Sequence, residues 1–111
     1  MRFAIPPAGA VAVLFLSVRN AMDASGYSAA AAQMEAAAAS MPGFIGFTAA
    51  RGSDGVGIAV SYWADEAAAL AWRDQADHAR VRDQGRAIWY DHYCVSIAQV
   101  TRAYHWDRPP E

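Results

Sequence analysis

The segment Ala10 to Arg19, AVAVLFLSVR, constrains this chain more than any other, because it is apolar on both alternating positions. Ten residues rich in valine and leucine are of strand length and too short for a convincing helix. In a strand, Val11, Val13 and Phe15 point to one face while Leu14, Leu16 and Val18 point to the other. A sheet built around such a strand must be covered on both sides.

Turn and cap signals then divide the chain. Asp23 and Ser25 offer N-cap oxygens to an alanine-rich helix whose inner stripe is read as Tyr27, Ala31, Met34, Ala38 and Met41. Pro42 and Gly43 end it, and a second strand follows from Phe44 to Ala50. Gly52-Ser53-Asp54-Gly55 has the chemistry of a hairpin turn, so the third strand, Val56 to Trp63, should lie antiparallel to the second. Asp65 caps a helix running through Leu70 and Trp72, and a further helix starts near Asp77, with His78, Val81, Gly85 and Trp89 on its inner stripe. A last strand is expected from about Tyr93 to Tyr104, and the tail from 107 to 111, with two prolines, reads as loose.

The order strand, helix, strand, strand, split helix, strand predicts one α+β domain over residues 1–111, a ferredoxin-like βαββαβ unit with an antiparallel sheet and helices on one face. A chain of 111 residues supports one core and no more. The helices cover one sheet face only. With 55% hydrophobic and 18% charged residues, a second copy of the chain is the simplest cover for the other, giving a dimeric α/β barrel.

Charge narrows the partners. A net charge of −2 and a pI near 5.8 provide no basic field for phosphates, so nucleic acid and anionic membranes are excluded and a small neutral or aromatic molecule is favoured. Met1 to Val18 has some features of a secretion signal, but Pro6 and Pro7 interrupt it and the first strand lies inside it; a cytoplasmic protein is expected. No segment approaches the ~20 apolar residues of a membrane span. The one cysteine, Cys94, is read as a small buried hydrophobe. His92 and His105 have no ligand-spaced companions, so no metal site is expected.

From the third strand onward the chain resembles the antibiotic biosynthesis monooxygenase family. The similar features are a strand ending Tyr62-Trp63, a helix ending in Trp72, His78 after an aspartate, Gly85-Arg86, Trp89-Tyr90 with Tyr93, and a closing strand with Arg102 and Tyr104. The resemblance implies a homodimer with a small pocket between sheet and helices in each subunit. It also implies an oxygenase that takes a phenol or quinol to a quinone with molecular oxygen and no cofactor, or a haem-degrading oxygenase, or a non-catalytic ligand-binding or stress-related barrel. Trp63 matches the pocket tryptophan of the quinone-forming members, and Trp72 a helix tryptophan of the haem-degrading ones. The haem-ligating histidine of the latter falls near Arg82, one helical turn after His78, and their first-strand asparagine matches Asn20 only with a one-residue slip; both departures weigh against haem degradation.

Triplet oxygen reacts slowly with paired-electron organics unless the substrate is itself a good electron donor, and deprotonating a phenol makes it one. Such a site needs a proton acceptor and donors aimed at the reduced oxygen. His78, the indoles of Trp63 and Trp72, and the amide of Asn20 are the candidate catalytic groups. Tyr62, Arg82 and Trp89 are the candidate substrate contacts, with Arg82 suited to an anionic phenolate. Gly85 inside a helix costs about 1 kcal/mol relative to alanine, so something must approach closely there, either the sheet or a planar ligand.

Overall fold

The computed structural model describes residues 2–110, apart from the side chains of Ala76 and Asp77. Strand β1 is Val11–Arg19 and helix α1 is Ala24–Ala39. Asp23 caps α1 by accepting the Gly26 backbone N–H at 3.3 Å, holding a left-handed φ of 51° that aspartate tolerates better than most residues. After Gly43, whose φ of +81° turns the chain, come β2 (Phe44–Arg51) and β3 (Val56–Trp63), joined by the expected turn with Gly55 at φ +87°. Helix α2 is Glu66–Asp74, capped by Asp65, whose Oδ1 accepts the Ala68 N–H at 2.8 Å. Helix α3 is Ala76–Gln84 and widens into a π turn over Gly85–Trp89 before β4, Tyr90–Gln99.

The strands are antiparallel in the order β2-β3-β1-β4, the ferredoxin-like arrangement. Val11 faces Trp63 on β3 and Gln99 on β4, and Ser17 faces Gly57 and Tyr93. Alternation therefore sends Val11, Val13, Phe15 and Ser17 to the helices with Trp63, Ser61, Tyr93, Val95 and Ile97. Leu14, Leu16, Val18, Val60, Ile58 and Tyr62 go to the uncovered face. The core sits at one end of the sandwich, where Val11, Ala38, Trp63, Ala69 and Trp72 are buried against Phe44, Met34 and Met41.

Several local expectations are corrected. The last strand begins at Tyr90 and stops at Gln99: Val100 still exchanges backbone hydrogen bonds with Gly9 and Ala10, but there the Ala10 N–H folds back onto the Pro7 carbonyl and Gly9, at φ +92°, turns the partner backbone away. Ala31 is exposed and Ala30 takes its inward place, while Tyr27, Met34, Ala38 and Met41 keep the inner stripe of α1 as read. Cys94 is exposed rather than buried, since it lies on the uncovered face of the edge strand.

The single chain is incompletely closed. Its accessible surface is 7430 Å², whereas a monomer of 11.9 kDa is expected to show roughly 6,000 Å². The Cα radius of gyration of 14.9 Å likewise exceeds the roughly 13 Å of a compact domain this long. Apolar side chains of the uncovered sheet face contribute to it: Leu16, Val56 and Ile58 are 40%, 49% and 50% exposed. Among the described residues no helix is long and apolar enough to cross a membrane.

Candidate active site

Three of the expected residues meet. Trp63, at the end of β3, points to the helix side and is fully buried. Its ring stacks on Trp72 of α2 at 5.9 Å and 22°, and Trp72 stacks on His78 of α3 at 4.4 Å and 13°. Phe44 closes the far side edge-on to Trp63 at 5.5 Å. One continuous stack thus joins β2, β3, α2 and α3, with each aromatic pair adding to plain area burial.

The indole N–H groups are not equivalent. Trp63 donates to Ser61 Oγ at 2.9 Å, two residues earlier on the same strand face, and Trp89 donates to Asp23 Oδ2 at 3.2 Å. The N–H of Trp72 has no hydrogen-bond partner among the described residues, which leaves it the one available donor in the stack.

His78 is oriented from two sides. Gln75 Oε1 accepts its backbone N–H at 2.8 Å, capping α3, and its ring Nδ1 lies 3.0 Å from the Trp72 carbonyl. A carbonyl only accepts, so Nδ1 carries the proton in the neutral ring and Nε2 presents a lone pair, with no partner among the described residues. Burial pushes the His78 pKa below its ordinary 6.5, the Trp72 carbonyl opposes that, and the positive charge of Arg82 adds to the lowering. The ring is therefore neutral at pH 7 and able to accept a proton. Arg82 sits one turn further along α3, pairs loosely with Asp83 at 3.9 Å and keeps a buried Nε–H without a partner.

The other candidates lie elsewhere. Asn20 donates to the Ile88 carbonyl at 2.8 Å and, at a longer 3.4 Å, to Asp91, while its own carbonyl accepts from the Met22 N–H at 2.9 Å. It fastens the end of β1 to the start of β4. Trp89 is buried beside Tyr27 at 5.7 Å, at this same end of the sheet. Tyr62, adjacent to Trp63 in sequence, points to the opposite face. What approaches Gly85 is the ring of Tyr90: a Cβ there would lie 2.7 Å from a ring carbon.

A second cluster at this end was not anticipated from sequence. Tyr27 meets Tyr90, and Tyr90 meets Phe15, edge to face, Phe15 meets Tyr93 at a tilt of 37°, and Arg19 and Arg51 both approach the Tyr27 ring. Desolvation, then the hydrogen bond to Tyr27, pushes the Tyr90 hydroxyl well above the usual phenol range. Ser17, buried beneath, accepts from Arg51 Nη2 at 2.8 Å.

The helix layer stops short of β4. Val95 and Ile97 point to the helix side yet are 50% and 56% exposed, and a groove of about 410 Å³ at the end of this strip is lined by Val11, Asp65, Glu66, Ile97 and Gln99 among others.

Comparison with known proteins agrees with this architecture. A family model described as antibiotic biosynthesis monooxygenase matches residues 11–84. An uncharacterized protein of Bacillus subtilis (strain 168), YqjZ, is 42% identical over 91 residues, covering 82% of this chain and 79% of its own. Of solved structures, SnoaB from Streptomyces nogalater, a cofactor-independent oxygenase, aligns with a TM-score of 0.70 at 18% identity over 94% of this chain and all of its own. A conserved protein from Methanosarcina mazei aligns with a TM-score of 0.73 at 9% identity over 82% of this chain and 92% of its own. At those identities the structural likeness speaks for the fold.

Proposed function

Because this chain belongs to the antibiotic biosynthesis monooxygenase family, we propose that it oxidises a small phenolic or quinol substrate with molecular oxygen, without metal or flavin, as a cytoplasmic homodimer. The observation that carries the reading is the stacked pair Trp72–His78, which sets a neutral imidazole Nε2 beside an indole N–H that has no other described partner. In this scheme Nε2 takes the phenol proton, and the phenolate becomes electron-rich enough to reduce oxygen. The Trp72 N–H then donates to the negative charge that develops on oxygen, a role worth most where water is excluded. Overall, a phenol with a free ring C–H and one O₂ give a quinone and one water: one oxygen atom enters the ring as a carbonyl, and the other leaves with two hydrogens.

The remaining candidates take supporting parts. Trp63 holds the plane of Trp72, and Arg82 faces the anionic phenolate. Asn20, with both ends of its amide engaged, and Trp89 act by fixing the β1–β4 end, and Tyr62 belongs to the subunit contact. Pairing through the uncovered face would bury Leu16, Val56 and Ile58, which are 40%, 49% and 50% exposed in the single chain.

Oxygen uptake and quinone absorbance with simple naphthols and hydroquinones test the activity. Uptake above buffer that falls at least tenfold in Trp72→Phe is the expected result. Uptake equal to buffer for every substrate, with ligands still perturbing tryptophan fluorescence, would leave a ligand-binding barrel instead. That second reading draws on the engaged N–H groups of Trp63 and Trp89.

A further inference from the structure

At the end of the sheet remote from Trp72 and His78, we infer that Arg19, Arg51 and Tyr27 form a binding site for a small carboxylate. The site is independent of the proposed oxygenase chemistry. Ser17 and Val11 are six residues apart on β1, so about 20 Å separates the two places.

The first argument is charge. Arg19 Cζ lies 3.9 Å from the centre of the Tyr27 ring and Arg51 Cζ lies 5.6 Å from the same centre. Two guanidinium groups are thus gathered on one ring, whose face offsets part of their charge without neutralising it, so an anion close to both would be attracted by each. Neither forms an ion pair among the described residues, where arginine pairs are confined to Arg2, Arg73 and Arg82. Asp23, at the start of α1, is engaged by the Gly26 N–H and the Trp89 indole, and Asp54 by the Val56 N–H.

The second argument is construction. Arg51 lies flat along β3 because residue 57 is glycine: a Cβ there would fall 2.5 to 2.7 Å from the Arg51 guanidinium atoms. The guanidinium is then fixed through Nη1 donating to the Gly55 carbonyl and Nη2 donating to Ser17 Oγ at 2.8 Å and to the Tyr27 hydroxyl at 3.1 Å, all neutral acceptors that leave its positive charge uncompensated. Charge held this rigidly, with Arg51 itself exposed to solvent, is preorganised for a ligand rather than dispersed in water.

The third argument is a missing partner. Arg19 gives one Nη2 proton to the Met22 carbonyl at 2.9 Å, but its Nε–H is buried with no acceptor among the described residues. Buried donors are nearly always satisfied. A carboxylate accepts side-on from the Nε and Nη2 protons of a guanidinium at once, and a small rotation of Arg19 on the Tyr27 face would present both.

Sodium benzoate, titrated at constant ionic strength and followed through the arginine Nε–Hε resonances, tests the assignment. The Arg19 and Arg51 signals, identified by their disappearance in Arg19→Gln and Arg51→Gln, should shift saturably at millimolar benzoate or below. Affinity should fall about tenfold or more in either variant, be weakened in Gly57→Ala, which keeps both charges but displaces Arg51, and stay unchanged in Arg73→Gln. Absence of a saturable shift in the native chain overturns the proposal without a folding ambiguity, and so does an unchanged affinity in Arg19→Gln. Inorganic phosphate binding as tightly as benzoate would overturn the assignment to a carboxylate. None of these outcomes bears on oxygen uptake, so the two sites succeed or fail separately.

Discussion

At one end of the space between sheet and helices Trp63, Trp72 and His78 form a flat, carbon-rich stack; about 20 Å along β1, at the other end, Tyr27 is flanked by Arg19 and Arg51. The first end is apolar, holds a neutral base and leaves one indole N–H unengaged. The second concentrates fixed positive charge and ties its polar atoms into a mesh. Both rest on the same β1, so the difference comes from which strand ends and helix termini converge at each. The proposed reaction chemistry draws on the end that holds the neutral imidazole, and the proposed anion capture on the end where charge is already in place.

The largest test of this division is thermodynamic. Trp63→Ala empties the centre of the stack and should lower stability by about 3 to 5 kcal/mol in urea titrations, because the buried ring leaves a cavity. Arg51→Ala at the opposite end should lower it by only about 1 kcal/mol, the order of a partly exposed hydrogen-bond network. Equal losses would erase the distinction between a packed end and a polar one.

Turnover should separate the ends next. His78→Gln keeps a polar group of similar size without a general base, and the oxygen-uptake rate should fall on the order of 10²-fold with little change in the unfolding midpoint. Gly85→Ala probes the junction between them. Its Cβ would drive into the Tyr90 ring, and the overpacking should outweigh the helix-propensity gain, for a net loss of about 1 kcal/mol or more in thermal melts. Trp63→Phe should lower stability by about 1 kcal/mol, since Ser61 loses its donor, and change the rate less than threefold if the stack needs only a ring at that position.

The smallest effect is a pH slope. The His78 pKa is lowered in the folded chain, so between the ordinary 6.5 and that lower value the unfolded chain binds more protons. Stability contributed by the neutral ring is complete above about pH 6.5 and lost as pH falls toward the folded value. Activity that requires Nε2 unprotonated falls with the lower value and is flat at pH 7. In His78→Gln the stability slope should vanish, read by urea unfolding at a series of pH values.

How far the amino-acid order speaks for itself differs between these regions. Strand β3 has the bounds read from its pattern, because a strong turn precedes it and Asp65 caps the helix after it. The Trp63–Trp72 meeting was legible too, as a strand end followed by an amphipathic helix leaves few other places for two indoles. The fate of their N–H groups was not, although Ser61 at the preceding same-face position is a local clue. Asn20 was read as an available donor since nothing near it in sequence announces the Ile88 carbonyl, 68 residues away. The Arg19–Tyr27–Arg51 cluster draws on β1, α1, β2 and β3, and no local spacing links such members. The last strand was extended too far because alternation measures fitness for a sheet, whereas length is set by the partner's backbone.

The strand order has a temporal side. β1 occupies the sheet interior, yet it is the first strand made, while its neighbour β4 is the last. During synthesis β1 first pairs with β3 and presents an unsatisfied backbone edge until residues 90–99 arrive. Contacts joining strands as far apart in sequence as Val11–Arg19 and Tyr90–Gln99 delay folding relative to local ones. Completion of this sheet, and of the Asn20 latch that secures it, must therefore await residues 88–99.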